Sequence, residues 1–117
     1  MVNPLLYLMA AALAATPPAT AERRCGWLDN PSPANWWLID RNGEWLIGQQ
    51  GGYQAPGEDE MPDMSKFGKI TKGGNYGYTC ACMAVTTDRA SMRITRIFSA
   101  RPVPLRQCSS DRRLRRP

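Results

Sequence analysis

The sequence feature that most constrains the fold is the run of residues 74–85, which carries two of the four cysteines. Its aromatic and β-branched residues are typical of a strand. Successive side chains of a strand point to opposite faces, so Cys80 and Cys82 are expected on the same face, about 7 Å apart. The other two cysteines, Cys25 and Cys108, lie near the two ends of the predicted domain. A central strand that is tied to both ends of the domain is therefore the simplest architecture.

Four cysteines allow three pairings into two disulfides. A bond between Cys80 and Cys82 is disfavoured, because their sulfurs lie beyond normal bonding distance along one strand. Each of the other two pairings joins Cys25 and Cys108 to the central strand, one each, and the sequence leaves both open.

The alternative use of Cys80 and Cys82 is a metal or redox site, since thiolates suit Cu(I) and Zn²⁺. Zinc ribbons, however, bring together two close cysteine pairs, and redox motifs space their thiols by two residues. We therefore favour structural disulfides and predict no bound metal and no cofactor.

The N-terminal region is typical of a secretory signal. Residues 5–15 are rich in leucine and alanine, and Ala19-Thr20-Ala21 supplies a small-x-small cleavage site. The apolar run is shorter than the ~20 residues that a membrane span needs. We predict a signal peptide at residues 1–21 and a periplasmic or secreted mature protein with no transmembrane segment. Removing 21 of the 117 residues leaves 96, with all four cysteines among them.

The formal net charge of +5 is concentrated at the C-terminal end. From Arg101 onward there are six arginines and one aspartate, whereas the preceding residues carry nine basic and nine acidic side chains. We predict one small β domain at residues 22–110 and a disordered basic tail at residues 111–117. Such a tail gives at most weak contact with anionic surfaces, and nothing in the sequence indicates specific nucleic-acid binding.

Residues 36–41 and 44–49 are aromatic and aliphatic runs that favour two strands. They flank Asn42-Gly43, a dipeptide typical of a type I′ hairpin turn. With these two residues as the loop, the register predicts the pairs Arg41–Glu44, Asp40–Trp45, Ile39–Leu46, Leu38–Ile47, Trp37–Gly48 and Trp36–Gln49. Residues 92–99 favour a further strand, and residues 29–35 favour a loop. The predicted fold class is all-β, a small and mainly antiparallel sheet braced by disulfides, with an α+β fold containing one short helix as the alternative.

Histidine is absent from the sequence. This excludes Ser-His and Cys-His nucleophile pairs and the usual general base near neutral pH. No glycine-rich phosphate loop with its lysine is present either. The acidic stretch 58–65 lacks the spacing of a calcium loop, so we interpret it as solvated. We predict no catalytic and no metal-binding residues.

Aromatic side chains are the candidates for ligand contact, because tyrosine and tryptophan dominate binding hot spots. The alternative is that they fill the core of a small domain. The candidates lie in aromatic or glycine-rich stretches and are Trp36, Trp37, Tyr53 and Tyr76.

Five motifs of the sequence, taken in order, form a combination typical of one family. They are Cys25-Gly26-Trp27-Leu28-Asp29-Asn30-Pro31, Asn35-Trp36-Trp37-Leu38, Gly51-Gly52-Tyr53-Gln54-Ala55, Gly74-Asn75-Tyr76-Gly77-Tyr78 and Cys80-Ala81-Cys82-Met83. This combination resembles a family of exported bacterial proteins known as domain of unknown function four-zero-eight-seven. The resemblance covers roughly residues 25–108 and implies a cysteine-braced envelope protein, without implying any site residue. The basic segment after Cys108 looks particular to this chain.

Small size, expected export and the absence of histidine together favour a binding function. We expect a non-enzymatic binding module or inhibitor in the cell envelope, with an envelope protein or polysaccharide as its partner. The alternative is a small enzyme or a metal- or redox-handling protein that uses Cys80 and Cys82.

Overall fold

A computed structural model describes residues 18–71 and 75–117. The apolar run of the predicted signal peptide and the first residue of the 74–85 run lie outside the described residues. Within them, β1 begins at Glu22, the first residue after the expected cleavage site.

The described residues form six strands, a short 3₁₀ turn and two short helices. In chain order these are β1 (Glu22–Ser32), β2 (Asn35–Asp40), β3 (Gly43–Gly48), the 3₁₀ turn (Glu58–Glu60), α1 (Met64–Phe67), β4 (Lys69–Ile70), β5 (Gly77–Asp88), β6 (Arg93–Val103) and α2 (Leu105–Ser109).

The strands form one sheet in the order β1-β2-β3-β6-β5-β4, and β1 also pairs with β5. β1, β2, β3, β6 and β5 therefore make a closed ring, with β4 beside the start of β5. Neighbouring strands of the ring are antiparallel except β3 and β6, which are parallel and meet at Leu46 and Arg93. The ladder that joins β1 to β5 has nine register pairs, from Glu22 opposite Val85 to Asn30 opposite Gly77. β5 is thus the central strand that the cysteine spacing predicts.

The β2–β3 hairpin forms, but its register differs from the predicted one. Asp40 pairs with Gly43 and Ile39 with Glu44, so the loop is Arg41-Asn42 rather than Asn42-Gly43. The Asp40 carboxylate accepts a hydrogen bond from the Asn42 backbone N–H at 2.8 Å, which is a common way for aspartate to form a turn. From Trp37 to Asp40 the predicted partners are therefore wrong by two residues of β3, whereas for Trp36, beyond a register shift, the error is one residue. Because an error of two is even, the side chains from Trp37 to Asp40 still share the predicted faces with β3.

β1 continues into the segment 29–35, which the sequence predicts as a loop. Asn30 is buried, and its side-chain amide donates to the backbone oxygens of Ser32 at 3.0 Å and Asn35 at 2.7 Å. These bonds shape the tight turn at 33–34, so the turn-forming residues act within the strand pair rather than in a separate loop.

The main hydrophobic core fills the ring. Strand alternation sends Leu28 of β1 inward, and every strand of the ring contributes at least one buried side chain. We call this core the inner cluster. Its members are Leu28, Leu38, Trp45, Ile47, Ala55, Ala81, Met83, Val85, Ile94 and Ile97.

A smaller hydrophobic core lies on the outside of the ring. It contains buried residues of β1, β2, β5 and α2, and the Tyr78 ring meets the Trp27 ring edge-on with centroids 5.2 Å apart. We call it the outer cluster. Its members are Trp27, Ile39, Cys80 and Cys108, with Tyr78, Val103 and Leu114 packed against them.

The structure confirms a mainly antiparallel β fold with two disulfides. The helices of the described residues span only four and five residues. In the part of the chain that the structure describes, no helix has the length and apolar character to cross a membrane.

Candidate functional site

A cleft of about 430 Å³ lies where the start of β1, the β2–β3 loop, α2 and the C-terminal segment 111–117 meet. Gly26 allows β1 and β2 to come together here, because a Cβ at this position would lie 2.1 Å from the Ile39 carbonyl oxygen. We call this feature the basic cleft. Its lining residues are Arg23, Arg24, Cys25, Gly26, Asp40, Arg41, Asn42, Cys80, Cys82, Gln107, Cys108, Asp111 and Leu114.

Both disulfides lie in the lining of the basic cleft. Cys25 bonds to Cys82, its register partner across β1 and β5, with Cα atoms 4.0 Å apart. Cys80 bonds to Cys108 of α2, with Cα atoms 5.8 Å apart. Of the two pairings that the sequence left open, the structure contains this one. The two bonds differ in exposure, since Cys80 and Cys108 are each 2% exposed whereas Cys25 and Cys82 are half-buried.

Arg24 forms the back of the cleft and is only 7% exposed. Its guanidinium donates to Asp40 at 2.8 Å, pairs with Glu22 at 2.6 Å and lies 4.1 Å from the Trp45 ring centre. The Trp45 indole N–H donates to the other Asp40 oxygen at 3.0 Å. Among the described residues the Arg24 Nε has no hydrogen-bond partner. The carboxylates of Asp40 and Glu22 compensate the buried charge of Arg24. These contacts hold Arg24 in place at the back of the cleft.

Sequence reasoning missed Arg24 and Asp40 as parts of a site. The sequence does contain a signal for Arg24. Arg24 lies two residues before Gly26 and four before Leu28, and residues spaced by two along a strand share one face, here the inward face of β1. For Asp40, the signal is an aspartate directly before a turn, where its carboxylate bonds to the backbone. Neither signal reveals that the two side chains meet.

The C-terminal segment 111–117 differs from the predicted disordered tail. The Arg41 Nε donates to the Asp111 carboxylate at 3.1 Å, and Arg115 forms an ion pair with Glu44 of the hairpin. Leu114 is half-buried against the outer cluster. The single leucine and the single aspartate of the segment thus hold it against the domain.

A second cleft, of about 340 Å³, adjoins the basic cleft and shares Asp40, Arg41 and Asn42 with it. Arg113 and Arg115 also line this second cleft. Together the two clefts are lined by five arginines and three carboxylates. This end of the molecule is therefore positively charged, although the residues before Arg101 carry equal numbers of basic and acidic side chains.

Two carboxylates near this end have lowered pKa values. Hydrogen bonds from the Arg113 backbone and side chain lower the pKa of Asp111, and a further bond from Arg41 adds to them. A hydrogen bond from the Thr87 hydroxyl lowers the pKa of Glu22, and Arg24 lowers it further. Away from the cleft, burial raises the pKa of Glu58. The lowered pKa values of Asp111 and Glu22 mean that the groups around these two carboxylates favour their charged form.

None of the four aromatic candidates lines the basic cleft. Trp36 and Tyr53 pack against the inner cluster, and the Tyr53 hydroxyl donates to the Ile94 carbonyl at 2.8 Å. Trp37 and Tyr76 are half-buried elsewhere. The structure therefore does not gather the four in the cleft, and their role in ligand contact stays a prediction.

The cysteines come together in the cleft only as disulfides, and no cysteine is free. Within residues 18–71 and 75–117, no three His, Cys, Asp or Glu side chains lie close enough together to hold a metal ion. The chemistry that the cleft offers is therefore hydrogen bonding to anions by arginine, and exchange at the sulfur–sulfur bonds.

Comparison with known proteins places most of the chain in one family. The family described as Protein of unknown function (DUF4087) matches residues 19–115. No curated protein and no solved structure matches the chain. The matched range continues through most of the C-terminal segment, so the interpretation of that segment as particular to this chain is wrong. The family predicted from the cysteine and aromatic motifs is confirmed: the chain belongs to the DUF4087 family.

Proposed function

We propose that this protein is a non-enzymatic binding module of the cell envelope, and that its basic cleft takes a carboxylate-bearing segment of a partner protein. The arginine guanidinium matches a carboxylate with two parallel donors, and such charge-assisted bonds are about twice as strong as neutral ones. Arg23 and Arg41 are exposed in the cleft lining and are able to make these bonds.

The observation that carries the proposal is the position of the Asp111 carboxylate. Its carboxylate already lies in the basic cleft, bonded to Arg41 at 3.1 Å and to Arg113 at 3.1 Å. The Asp111 side chain is 15% exposed, whereas that of Arg41 is 58% exposed. The cleft thus holds one carboxylate of its own chain and leaves arginine donors exposed beside it.

The absence of aromatic side chains from the cleft lining favours a protein segment over a polysaccharide. Stacking on a sugar face needs an aromatic ring, and none of the described residues that line the basic cleft is aromatic. Aspartate and glutamate side chains of an extended segment need only the guanidinium groups. An acidic polysaccharide is therefore the competing ligand in the test below.

The same proposal includes export to the periplasm or beyond the cell. Two disulfides persist in oxidising compartments and are rare in the cytosol, and both are formed in the structure. The small-x-small sequence before Glu22 supports removal of a signal peptide. N-terminal sequencing of the exported protein is expected to begin at Glu22, and a retained Met1 would contradict this.

The binding proposal is tested with a fluorescein-labelled peptide of alternating glutamate and serine, read by fluorescence anisotropy at low salt. A peptide with glutamine in place of glutamate is the ligand control. Arg41→Gln is expected to weaken binding about tenfold, since a hydrogen bond to a charged group contributes roughly 1.5–3 kcal/mol. Arg96→Gln removes the same charge from a residue outside the clefts and is expected to bind like the wild type.

Equal binding of the two peptides, or equal losses in Arg41→Gln and Arg96→Gln, would contradict the proposal. Competition with polygalacturonate decides the ligand class. If the polymer binds more tightly per carboxylate than the peptide, the ligand is an acidic polysaccharide and the protein partner is wrong.

A further inference from the structure

The two disulfides of the basic cleft occupy different environments. Cys80–Cys108 belongs to the outer cluster, where both residues are buried and Leu114 packs against the cluster. Cys25–Cys82 is half-buried, and Cys82 also lines a separate cleft of about 250 Å³ on its other side. Cys25–Cys82 is therefore more accessible to a small thiol than Cys80–Cys108.

Arg23 lies against the more exposed bond. Its Nη2 approaches the Cys82 Sγ at 3.5 Å, and its side chain lines both clefts that Cys82 lines. A neighbouring arginine lowers the pKa of a thiol by stabilising the thiolate. A sulfur with a lower thiol pKa leaves faster in thiol–disulfide exchange.

We propose that Cys25–Cys82 is an exchangeable disulfide that accepts two electrons from a dithiol, with Cys82 as the leaving sulfur and Arg23 as the group that stabilises it. This activity shares Arg23 with the proposed carboxylate site but does not require carboxylate binding.

The exchange is balanced in two steps. One thiolate of the dithiol attacks the Cys25 sulfur, a new sulfur–sulfur bond forms, and the electron pair of the old bond leaves on Cys82. The second thiol of the dithiol loses its proton and attacks its own partner sulfur, which releases Cys25. The dithiol is oxidised to a disulfide, Cys25 takes up one proton as a thiol, and Cys82 remains a thiolate beside Arg23 while the other proton passes to solvent.

The fold is built to keep its shape when this bond opens. Cys25 and Cys82 sit in the middle of the β1–β5 ladder, whose register pairs extend from Glu22 opposite Val85 to Asn30 opposite Gly77. Backbone hydrogen bonds on both sides of the disulfide keep the two strands together. Cys80–Cys108 still holds α2, so opening Cys25–Cys82 changes the chemistry of the cleft lining rather than the architecture.

The test is timed reduction of the oxidised protein with dithiothreitol, followed by N-ethylmaleimide alkylation and peptide mapping by mass spectrometry. Cys25 and Cys82 are expected to be alkylated before Cys80 and Cys108. Arg23→Gln is expected to slow opening of Cys25–Cys82 about threefold, because a change of about one unit in the leaving-group pKa acts with a sensitivity of roughly 0.5. Arg23→Lys keeps the cation and is expected to restore most of the rate, and Arg96→Gln controls for net charge.

Far-UV circular dichroism of the protein with only Cys25–Cys82 open is expected to match the oxidised protein. Reduction of Cys80–Cys108 first, or of both bonds together, would overturn the proposal. Equal rates for Arg23→Gln and Arg96→Gln, or loss of the β signal when Cys25–Cys82 opens, would overturn it as well.

Discussion

The inner and outer clusters use opposite faces of the same strands, but they are enclosed in different ways. On β1, Leu28 points into the ring and Trp27 points out of it. Hydrogen-bonded strands surround the inner cluster, whereas a five-residue helix and the C-terminal segment cover the outer one. A domain of this size buries a limited core, so the second face depends on a covalent tie, Cys80–Cys108. The inner cluster is thus stabilised mainly by side-chain packing, and the outer cluster depends on the Cys80–Cys108 disulfide that holds α2 against it.

The largest expected effect is the loss of packing inside the ring. Leu38 is completely buried at 0% exposure, so Leu38→Ala is expected to lower the free energy of unfolding by about 3–5 kcal/mol through lost transfer energy and a residual cavity. Urea denaturation measures this loss. A cost below 1 kcal/mol would show that the inner cluster is not the main source of stability.

The second largest loss of stability is expected from removal of the Cys80–Cys108 disulfide. Cys80 and Cys108 close a loop with a sequence separation of 28, and the chain-entropy model assigns about 3–4 kcal/mol to such a loop. In the double variant Cys80→Ala/Cys108→Ala, hydrogen exchange is expected to quicken at α2 and to remain slow in β5. Equal loss of protection in both elements would contradict the separation of the two clusters.

A substitution at Leu114 tests how much the C-terminal segment stabilises the outer cluster while the Cys80–Cys108 disulfide stays intact. Leu114 is half-buried and is the only leucine of the C-terminal segment. Leu114→Ala is expected to cost about 1 kcal/mol, since roughly 0.8 kcal/mol is lost for each buried methylene and burial here is partial. The melting temperature would then fall by about 4–8 °C. No change in melting temperature would favour the free tail that the sequence predicts.

The smallest effect on stability is expected from the ion pairs that Asp111 forms in the C-terminal segment. Since the folded-state pKa of Asp111 lies below its ordinary value of 3.8, its contribution is fully present at pH 7 and is lost as the pH falls below 3.8 through the folded-state pKa. Asp111→Asn is therefore expected to lower the melting temperature slightly at pH 7 and to have a smaller effect at pH 2. A difference that is equally large at pH 2 would assign the effect to packing rather than to charge.

Local features of the fold were predictable from the sequence, and long-range ones were not. Alternation and β-branched content predicted β2, β3, β5 and most of β6, and the Cys80–Cys82 spacing predicted how β5 is anchored. The predicted hairpin register is wrong because Asn42-Gly43 favours a loop of its own, whereas the Asp40 carboxylate fixes the turn one residue earlier. A local pattern does not reveal which of several turn formers has the better hydrogen bond.

The candidate site was predictable only through its cysteines. The cleft depends on closure of the ring, which brings the start of β1 beside the hairpin loop and the C-terminal segment. The sequence does not indicate that Arg24 is paired, because its partner Asp40 lies in another strand. Arg41 and Asp111 are 70 residues apart in sequence, so the ion pair that places a carboxylate in the cleft has no local signal.

The β1–β5 ladder has a consequence for how this chain reaches its native state. The first strand of the domain pairs with a strand from its second half, so the contact order is high and folding is expected to be slow for a domain of this length. Until β5 arrives, one edge of β1 exposes unpaired N–H and C=O groups that other chains are able to pair with. Self-association is therefore expected to compete with ring closure during this interval, and the yield of native protein should fall as the concentration of refolding chains rises.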